Sequence, residues 1–148
     1  MRALSIVLLA AMATVSCAQP KPADVIAGEA CWRCRRPISD VRLAAEFVAD
    51  TGIGSKFRSV HCLSTWIAQQ AEPMHGQFYV TDYGTGEWIR ADRASYVNTV
   101  VNRNTMARDF VAFAVPASAE ELARVEQGQV LDWQAVLDVG RTNPLDGF

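Results

Sequence analysis

Hydrophobic residues in the first half of the chain fall into two alternating runs and then into a helical spacing. The alternating runs at residues 42–49 and 56–60 predict the two strands of a β-hairpin, which a glycine-containing turn connects. Hydrophobic residues three and four positions apart then predict a helix over residues 62–71. This half therefore has the predicted order strand, strand, helix.

A similar order follows in the rest of the chain. Alternation at residues 77–82 and 87–90 predicts a second strand pair, joined by a turn rich in glycine. Residues 94–101 are compatible with a short strand or a short helix, and the apolar run at residues 110–115 predicts a central strand. Two strand pairs that each precede a helix suggest a weak internal repeat.

Two helices are predicted after the central strand. Ser118 and Glu121 are spaced as a capping box that would open a helix over residues 119–126. A last helix is predicted to begin at Asp132 as N-cap and to end at Gly140. Strands and helices in this order predict an α+β domain with mainly antiparallel pairing and C-terminal helices.

The first residues have the layout of an export signal. Arg2 supplies a positive charge, residues 3–15 are apolar, and small residues precede Cys17. Residues 1–16 are therefore predicted to be a signal peptide. Cleavage before Cys17 would resemble bacterial lipoprotein processing, in which the new N-terminal cysteine is acylated and anchors the protein to the membrane.

The residues after this cysteine are polar and contain two prolines. Residues 17–24 are predicted to form a tether after the lipidated Cys17, so that the fold begins near Val25. The alternative is ordinary cleavage after Ala18, which would release the protein without an anchor. Either way the predicted location is outside the cytoplasm.

Composition narrows the classes of function. The 148 residues are 50% hydrophobic and 20% charged, as expected of one compact domain. Lys plus Arg number 14 against 16 Asp plus Glu, which gives a net charge of −2 and no basic surplus for nucleic acid. No apolar run reaches the roughly 18 to 20 residues of a membrane-spanning helix.

Three cysteines remain after Cys17, and they are the strongest chemical signal. Cys31 and Cys34 form a C-x-x-C, and Cys62 follows His61. An exported protein that relies on disulfides normally has an even number of cysteines, so a leftover thiol favours metal ligation. The C-x-x-C spacing lets two thiolates turn toward one ion, and the His61–Cys62 pair could approach from the opposite side.

The type of metal depends on the remaining donors. Thiolate and thioether ligands favour Cu(I), whereas a closed tetrahedral set of thiolates and imidazoles favours structural zinc. Met106 lies in a polar stretch where a packing role is less natural, and no carboxylates cluster with the cysteines. The alternatives are a structural disulfide or zinc knuckle for Cys31 and Cys34, and a packing role for Cys62 and Met106.

Four stretches together resemble the NosL family, the copper-binding lipoproteins of nitrous oxide reductase assembly. They lie between Cys31 and Val139, in the family's order and approximate spacing: CWRCRRPISDVRLAAEF, VHCLSTWIAQQ, YVTDYGTGEWIRADRASYV and NTMARDFVAFA. The resemblance implies a NosL-like copper-binding domain over residues 25–148, with two related ββαβ-like halves. It further implies a periplasmic Cu(I) carrier that delivers copper to a partner enzyme or to its membrane assembly complex.

The resemblance carries over to individual residues. Cys31 and Cys34 match the family's C-x-x-C, Cys62 matches a cysteine frequent in its second block, and Met106 matches the methionine of the last block. One departure is Arg36, which stands where the family usually has methionine and cannot ligate Cu(I). The methionine at 106 also lacks the proline before it and the glycine after it that the family usually has.

These observations predict a lipid-anchored copper chaperone and not an enzyme. Cys31, Cys34 and Met106 are the first candidates for Cu(I) ligands, and Cys62 and His61 are candidates for completing the site or passing the ion on. Arginines at positions 33, 35 and 36 would either attract an acidic partner or form a solvated basic loop. The competing functions are a thiol–disulfide redox protein that uses the C-x-x-C and a lipoprotein with a structural zinc knuckle.

Overall fold

The computed structural model describes residues 20–143. The predicted signal peptide and Cys17 lie outside this part of the chain. Residues 20–143 form seven strands and three helices, in the order β1 Ala45–Ala49, β2 Gly54–Phe57, α1 Val60–Ala68, β3 Gly76–Thr81, β4 Trp88–Arg90, β5 Ser95–Asn102, β6 Ala107–Phe113, α2 Pro116–Val125, β7 Val130–Leu131 and α3 Trp133–Thr142. Two 3₁₀ helices, Val41–Leu43 and Ala91–Arg93, precede β1 and β5. Within residues 20–143, every helix is too short or too polar to cross a bilayer.

The strands form two antiparallel sheets with the same internal connection. The first sheet has the order β2-β1-β3-β4 and the second the order β6-β5-β7. In both, a hairpin is followed by a helix and by a strand that returns to pair with the first strand of the hairpin. The predicted α+β class with two related ββαβ-like halves is confirmed.

The two sheets meet at Asp82, just after β3. Asp82 forms a parallel bridge with Ala112 of β6. The Asp82 carboxylate accepts hydrogen bonds from the backbone N–H groups of Gly84 and Thr85 at 2.9 and 2.8 Å, and from that of Ala114 at 2.7 Å. Burial raises the pKa of Asp82, but these bonds outweigh it and leave the pKa below its ordinary value.

The main core lies between the first sheet and the helices α1 and α3. Trp66 of α1 packs on Phe47 and Phe57, with ring centroids 5.6 and 5.1 Å away. Trp133 of α3 lies 6.2 Å from Phe78 in the first sheet and 5.8 Å from Tyr96 in the second. The helix α3 therefore bridges both sheets, while α2 covers a smaller core on the second sheet through Ala119 and Ala123.

Several predicted boundaries differ from the observed ones. The helix predicted at 62–71 begins earlier, at Val60, because the Ser59 side chain caps it. The ambiguous segment at 94–101 is strand β5. The strand predicted as central, β6, is last in the order of its sheet, although its bridge to Asp82 puts it at the junction of the sheets.

Two predictions about helix ends are wrong. The capping box of Ser118 and Glu121 does not form, because α2 begins at Pro116 and Glu121 pairs with Arg124 instead. Gly140 does not end α3 but lies inside it, where it packs directly on Ser64 of α1. The predicted N-cap at Asp132 is confirmed, since its side chain accepts from the backbone N–H of Ala135.

The described part of the predicted tether is attached to the first sheet. The Pro20 carbonyl accepts a hydrogen bond from the Tyr79 hydroxyl at 2.8 Å, and the Ala23 N–H donates to the buried Glu46 carboxylate at 3.1 Å. Lys56 donates to the Asp24 carbonyl. A buried carboxylate needs such hydrogen-bond donors, so residues 20–24 contribute contacts to the first sheet.

Candidate metal centre

The C-x-x-C motif lies in a tight turn, residues 31–36, which we call the knuckle. The Cys31 N–H donates to the Arg36 carbonyl at 2.8 Å, and the Arg35 N–H donates to the Cys31 carbonyl at 2.9 Å. An antiparallel bridge between Ala30 and Pro37 closes the base of the turn. Arg35 has a φ of 62°, a left-handed conformation that the closed turn imposes on a residue with a side chain.

The knuckle is attached to the edge strand β2. The Trp32 N–H donates to the Lys56 carbonyl at 2.7 Å. The Lys56 ammonium in turn forms an ion pair of 3.0 Å with Glu29, two residues before the knuckle. A backbone bond and a side-chain bond therefore hold the knuckle in place against the first sheet.

Cys62 approaches the knuckle from the first turn of α1. The Ser59 hydroxyl, as N-cap, accepts from the Cys62 N–H at 3.2 Å and fixes the start of this helix. The sulfur atoms of Cys31, Cys34 and Cys62 lie within 4.8 Å of one another, and those of Cys34 and Cys62 are 3.9 Å apart. All three cysteines are free thiols.

Burial gives the three thiols different environments. Cys31 is fully buried and Cys62 is 3% exposed, whereas Cys34 is half-buried. Cys34 is therefore the most solvent-accessible of the three cysteines.

Hydrogen bonding shifts the pKa values of Cys31 and Cys62 in opposite directions. The bond from the Cys62 thiol lowers the pKa of Cys31 to about 5 against the opposing effect of burial, and the N–H groups of Cys34 and Arg58 lower it further. The bond to Cys31, together with burial, raises the pKa of Cys62. The pKa of Cys31 therefore lies below its ordinary value, which favours the thiolate form in which cysteine binds metals.

His61 is next to the cluster in sequence but its ring is engaged elsewhere. It is 5% exposed, and its Nε2 atom lies 2.9 Å from the Asn143 carbonyl at the end of α3. A carbonyl can only accept, so Nε2 carries a proton in this arrangement and Nδ1 is the nitrogen left for a metal. The His61 N–H donates to the Asp109 carboxylate at 3.1 Å.

Met106 lies on the exposed turn between β5 and β6. It is 66% exposed and has a φ of 55°. Asp109, three residues further along β6, contacts the first turn of α1, and three residues of strand span about 10 Å. The structure thus brings Cys31, Cys34 and Cys62 together and leaves Met106 at the solvent-exposed end of the neighbouring hairpin.

Three groups near the cluster were not identified from the sequence. Ser59 caps α1, the Arg58 N–H supports the Cys31 sulfur, and Asp109 accepts from the N–H groups of His61 and Phe110. Burial raises the pKa of Asp109. A serine three residues before Cys62 is an N-cap signal that would have located the start of α1.

The spacing of the three thiols fits one metal ion. Thiolates about 2.3 Å from a common ion and spread evenly in a plane lie about 4 Å apart, close to the observed 3.9 Å between Cys34 and Cys62. A structural zinc site takes four ligands. The group of potential metal ligands found within residues 20–143 consists of three cysteine thiols, one fewer than the four ligands of such a zinc site.

Comparisons with known proteins identify the family and a similar fold. The family model of NosL matches residues 12–138. The fold is similar to the crystal structure of the copper chaperone NosL from Shewanella denitrificans, with a TM-score of 0.62 and 15% identity over 78% of this chain and 94% of that one. None of the curated proteins matches the chain. The resemblance inferred from the four sequence stretches is confirmed.

Proposed function

The chain belongs to the NosL family, and on this premise we propose that it carries Cu(I) outside the cytoplasm on Cys31, Cys34 and Cys62. Membership of this family agrees with the expectation that the protein is not an enzyme. A carrier has to transfer the ion to a partner, so its site must bind copper tightly and also release it.

The observation that carries this proposal is the group of three free thiols within 4.8 Å. Thiolates are the ligands that Cu(I) prefers among protein side chains. Three ligands leave the ion short of the four that a structural zinc site uses, so a partner's ligand can add before one of the three leaves. The half-buried Cys34 is the thiol that such a partner reaches first.

Met106 and His61 have secondary roles in this proposal. The Met106 thioether is exposed on the turn between β5 and β6, where it would supply a soft ligand during entry or exit of the ion. His61 offers only its Nδ1 atom, because Nε2 bonds to the Asn143 carbonyl. We therefore rank Cys62 above both as the third ligand.

The proposed location and client rest on the sequence and the family. Residues 1–16 would direct export, and acylation of Cys17 would anchor the carrier to the periplasmic side of a bacterial membrane. The copper-receiving partner would be a copper enzyme such as nitrous oxide reductase, or the membrane complex that assembles it.

An anaerobic titration of the reduced protein tests copper binding. Cu(I) is added in competition with a chromophoric chelator, and the expected result is one ion per chain, bound far more tightly than Zn(II). Replacing a residue that only supports a metal ligand lowers metal affinity by up to about 100-fold. Cys62→Ser removes a ligand itself, so it is expected to lower Cu(I) affinity by more than that. Cys34→Ser has an effect of the same order.

A methionine pair provides the matched control. Met106→Leu is expected to weaken Cu(I) binding or to slow Cu(I) transfer without changing the melting temperature. Met74→Leu is the control, because Met74 is partly buried and packs on the core, and it should change neither Cu(I) binding nor Cu(I) transfer. Equal affinities for Cu(I) and Zn(II), with melting of the domain on chelation, would instead identify a structural zinc knuckle. Reduction of insulin disulfides would identify a redox protein.

A further inference from the structure

The knuckle presents a large aromatic side chain to solvent. Trp32 is 48% exposed although it lies between the buried Cys31 and the half-buried Cys34. Its backbone is fixed by the bond to Lys56, and the Arg35 guanidinium lies 5.2 Å from the centre of its ring. The indole is thus held outward beside the opening of the thiol cluster. Aromatic residues and arginine are the types that contribute most at protein interfaces.

The same surface has an excess of positive charge. Residues 31–37 contain three arginines and no acidic residue, in a chain whose net charge is −2. The ion pairs found within residues 20–143 include neither Arg35 nor Arg36, and both side chains are exposed. Exposed guanidinium groups bind carboxylates in a two-point geometry. An acidic surface is therefore the complement of the knuckle.

We propose that the knuckle surface, formed by Trp32, Arg35 and Arg36, docks an acidic segment of the copper-receiving protein beside Cys34. This inference rests on the proposed function, because it identifies the partner's chemistry at the same site. The carboxylates of the segment pair with the arginines, and the indole covers its apolar part. A soft donor such as methionine in that segment then lies next to the thiol through which the ion leaves.

A different role for the arginines makes a different prediction. Three thiolates and one Cu(I) carry a net charge of −2, which nearby guanidinium groups would stabilise. In that case replacing Arg36 weakens copper binding itself. In the docking proposal the arginine acts on the partner, so copper affinity stays unchanged while association with an acidic segment falls.

The test uses two synthetic peptides with the purified protein loaded with Cu(I). One peptide contains two methionines among aspartates and glutamates, and the other has lysines in place of the acidic residues. Calorimetry measures their affinities at 0.1 M and 1 M salt, between which the Debye length falls from about 10 Å to about 3 Å. The acidic peptide is expected to bind, with lower affinity at high salt, and the lysine peptide is not.

Charge reversal locates the surface. Arg36→Glu is expected to weaken binding of the acidic peptide by about tenfold or more through like-charge repulsion. Arg93→Glu makes the same charge change at an exposed arginine on the second 3₁₀ helix and should leave that affinity within about twofold. Trp32→Ala should weaken binding of the acidic peptide at both salt concentrations, because the indole contributes an apolar contact that salt does not screen.

Three results would overturn the docking proposal. They are equal binding of the two peptides, equal effects of Arg36→Glu and Arg93→Glu, and a loss of Cu(I) affinity in Arg36→Glu that matches its loss of peptide affinity. A parent protein that binds the acidic peptide but not Cu(I) would instead overturn the proposed function and leave the docking surface standing.

Discussion

Gly140 is a point where α3 contacts α1, and an added methyl group there tests the packing behind the candidate metal centre. A Cβ atom at position 140 would lie 2.6 Å from the backbone carbon of Ser64, 2.7 Å from its oxygen and 2.8 Å from its Cβ. Real Cβ contacts are longer than this, and two of the three atoms belong to the backbone. The helices must therefore move apart in Gly140→Ala.

The expected cost follows from two opposing effects. Overpacking a well-packed core typically costs 1–3 kcal/mol. Backbone atoms cannot rotate away as a side chain can, so we expect a cost of about 3 kcal/mol here. Alanine inside a helix is favoured over glycine by about 1 kcal/mol. The net loss is about 2 kcal/mol in the free energy of unfolding, which lowers the melting temperature of a chain of this size by about 6 °C.

Thermal and urea unfolding, followed by far-UV circular dichroism, measure this loss. Gly128→Ala is the control, because a Cβ at Gly128 meets no atom within 4 Å and its φ is not in the left-handed region. The control should change the free energy of unfolding by less than about 0.5 kcal/mol. If Gly140→Ala is as stable as the parent protein, the direct contact between α1 and α3 is refuted.

Three further predictions concern stability. Asp82→Asn loses one of three amide hydrogen bonds to the carboxylate and should cost about 2 kcal/mol in urea unfolding at neutral pH. Folding lowers the pKa of Asp82, so the Asp82 carboxylate contributes to the free energy of unfolding above its unfolded-state pKa of about 3.9. This contribution is lost as the pH falls through the folded-state pKa. The stability of Asp82→Asn should therefore depend less on pH at the acid end than that of the parent protein. Asp132→Ala should cost about 1 kcal/mol by removing the N-cap of α3, whereas Ser118→Ala, which does not cap α2, should stay within about 0.5 kcal/mol. Tyr96→Phe should cost about 1 kcal/mol, since its buried hydroxyl donates to the Ala91 carbonyl at 2.7 Å; an unchanged melting temperature would contradict this.

Much of the fold could be predicted from the sequence because each strand and helix carries a local pattern. The hairpin of β1 and β2, the strand pair of β3 and β4, and the N-cap at Asp132 were all visible as alternation, turn residues or capping residues. Gly140 could not be assigned correctly, because a glycine that ends a helix and a glycine that lets two helices touch look the same in one sequence. Only the contact with Ser64 distinguishes them.

The candidate site was predicted in part for the same reason. The C-x-x-C of Cys31 and Cys34 is a local motif, so its turn geometry follows from its spacing. The position of Cys62 depends on the Trp32–Lys56 bond and on the cap at Ser59, which together set the knuckle and α1 side by side. The Trp32–Lys56 bond is a long-range contact that no spacing in the sequence determines, whereas the cap at Ser59 is a local signal.

The placement of the thiols on two separate elements has a mechanical consequence for the proposed carrier. Cys34 belongs to a turn fastened to β2 and Cys62 to the start of α1, with a sequence separation of 28 residues. An ion shared between them would act as a cross-link that closes a long loop, and any ligand that binds only the native state raises its stability. Full and empty molecules would then differ in thermal stability and in resistance to proteolysis.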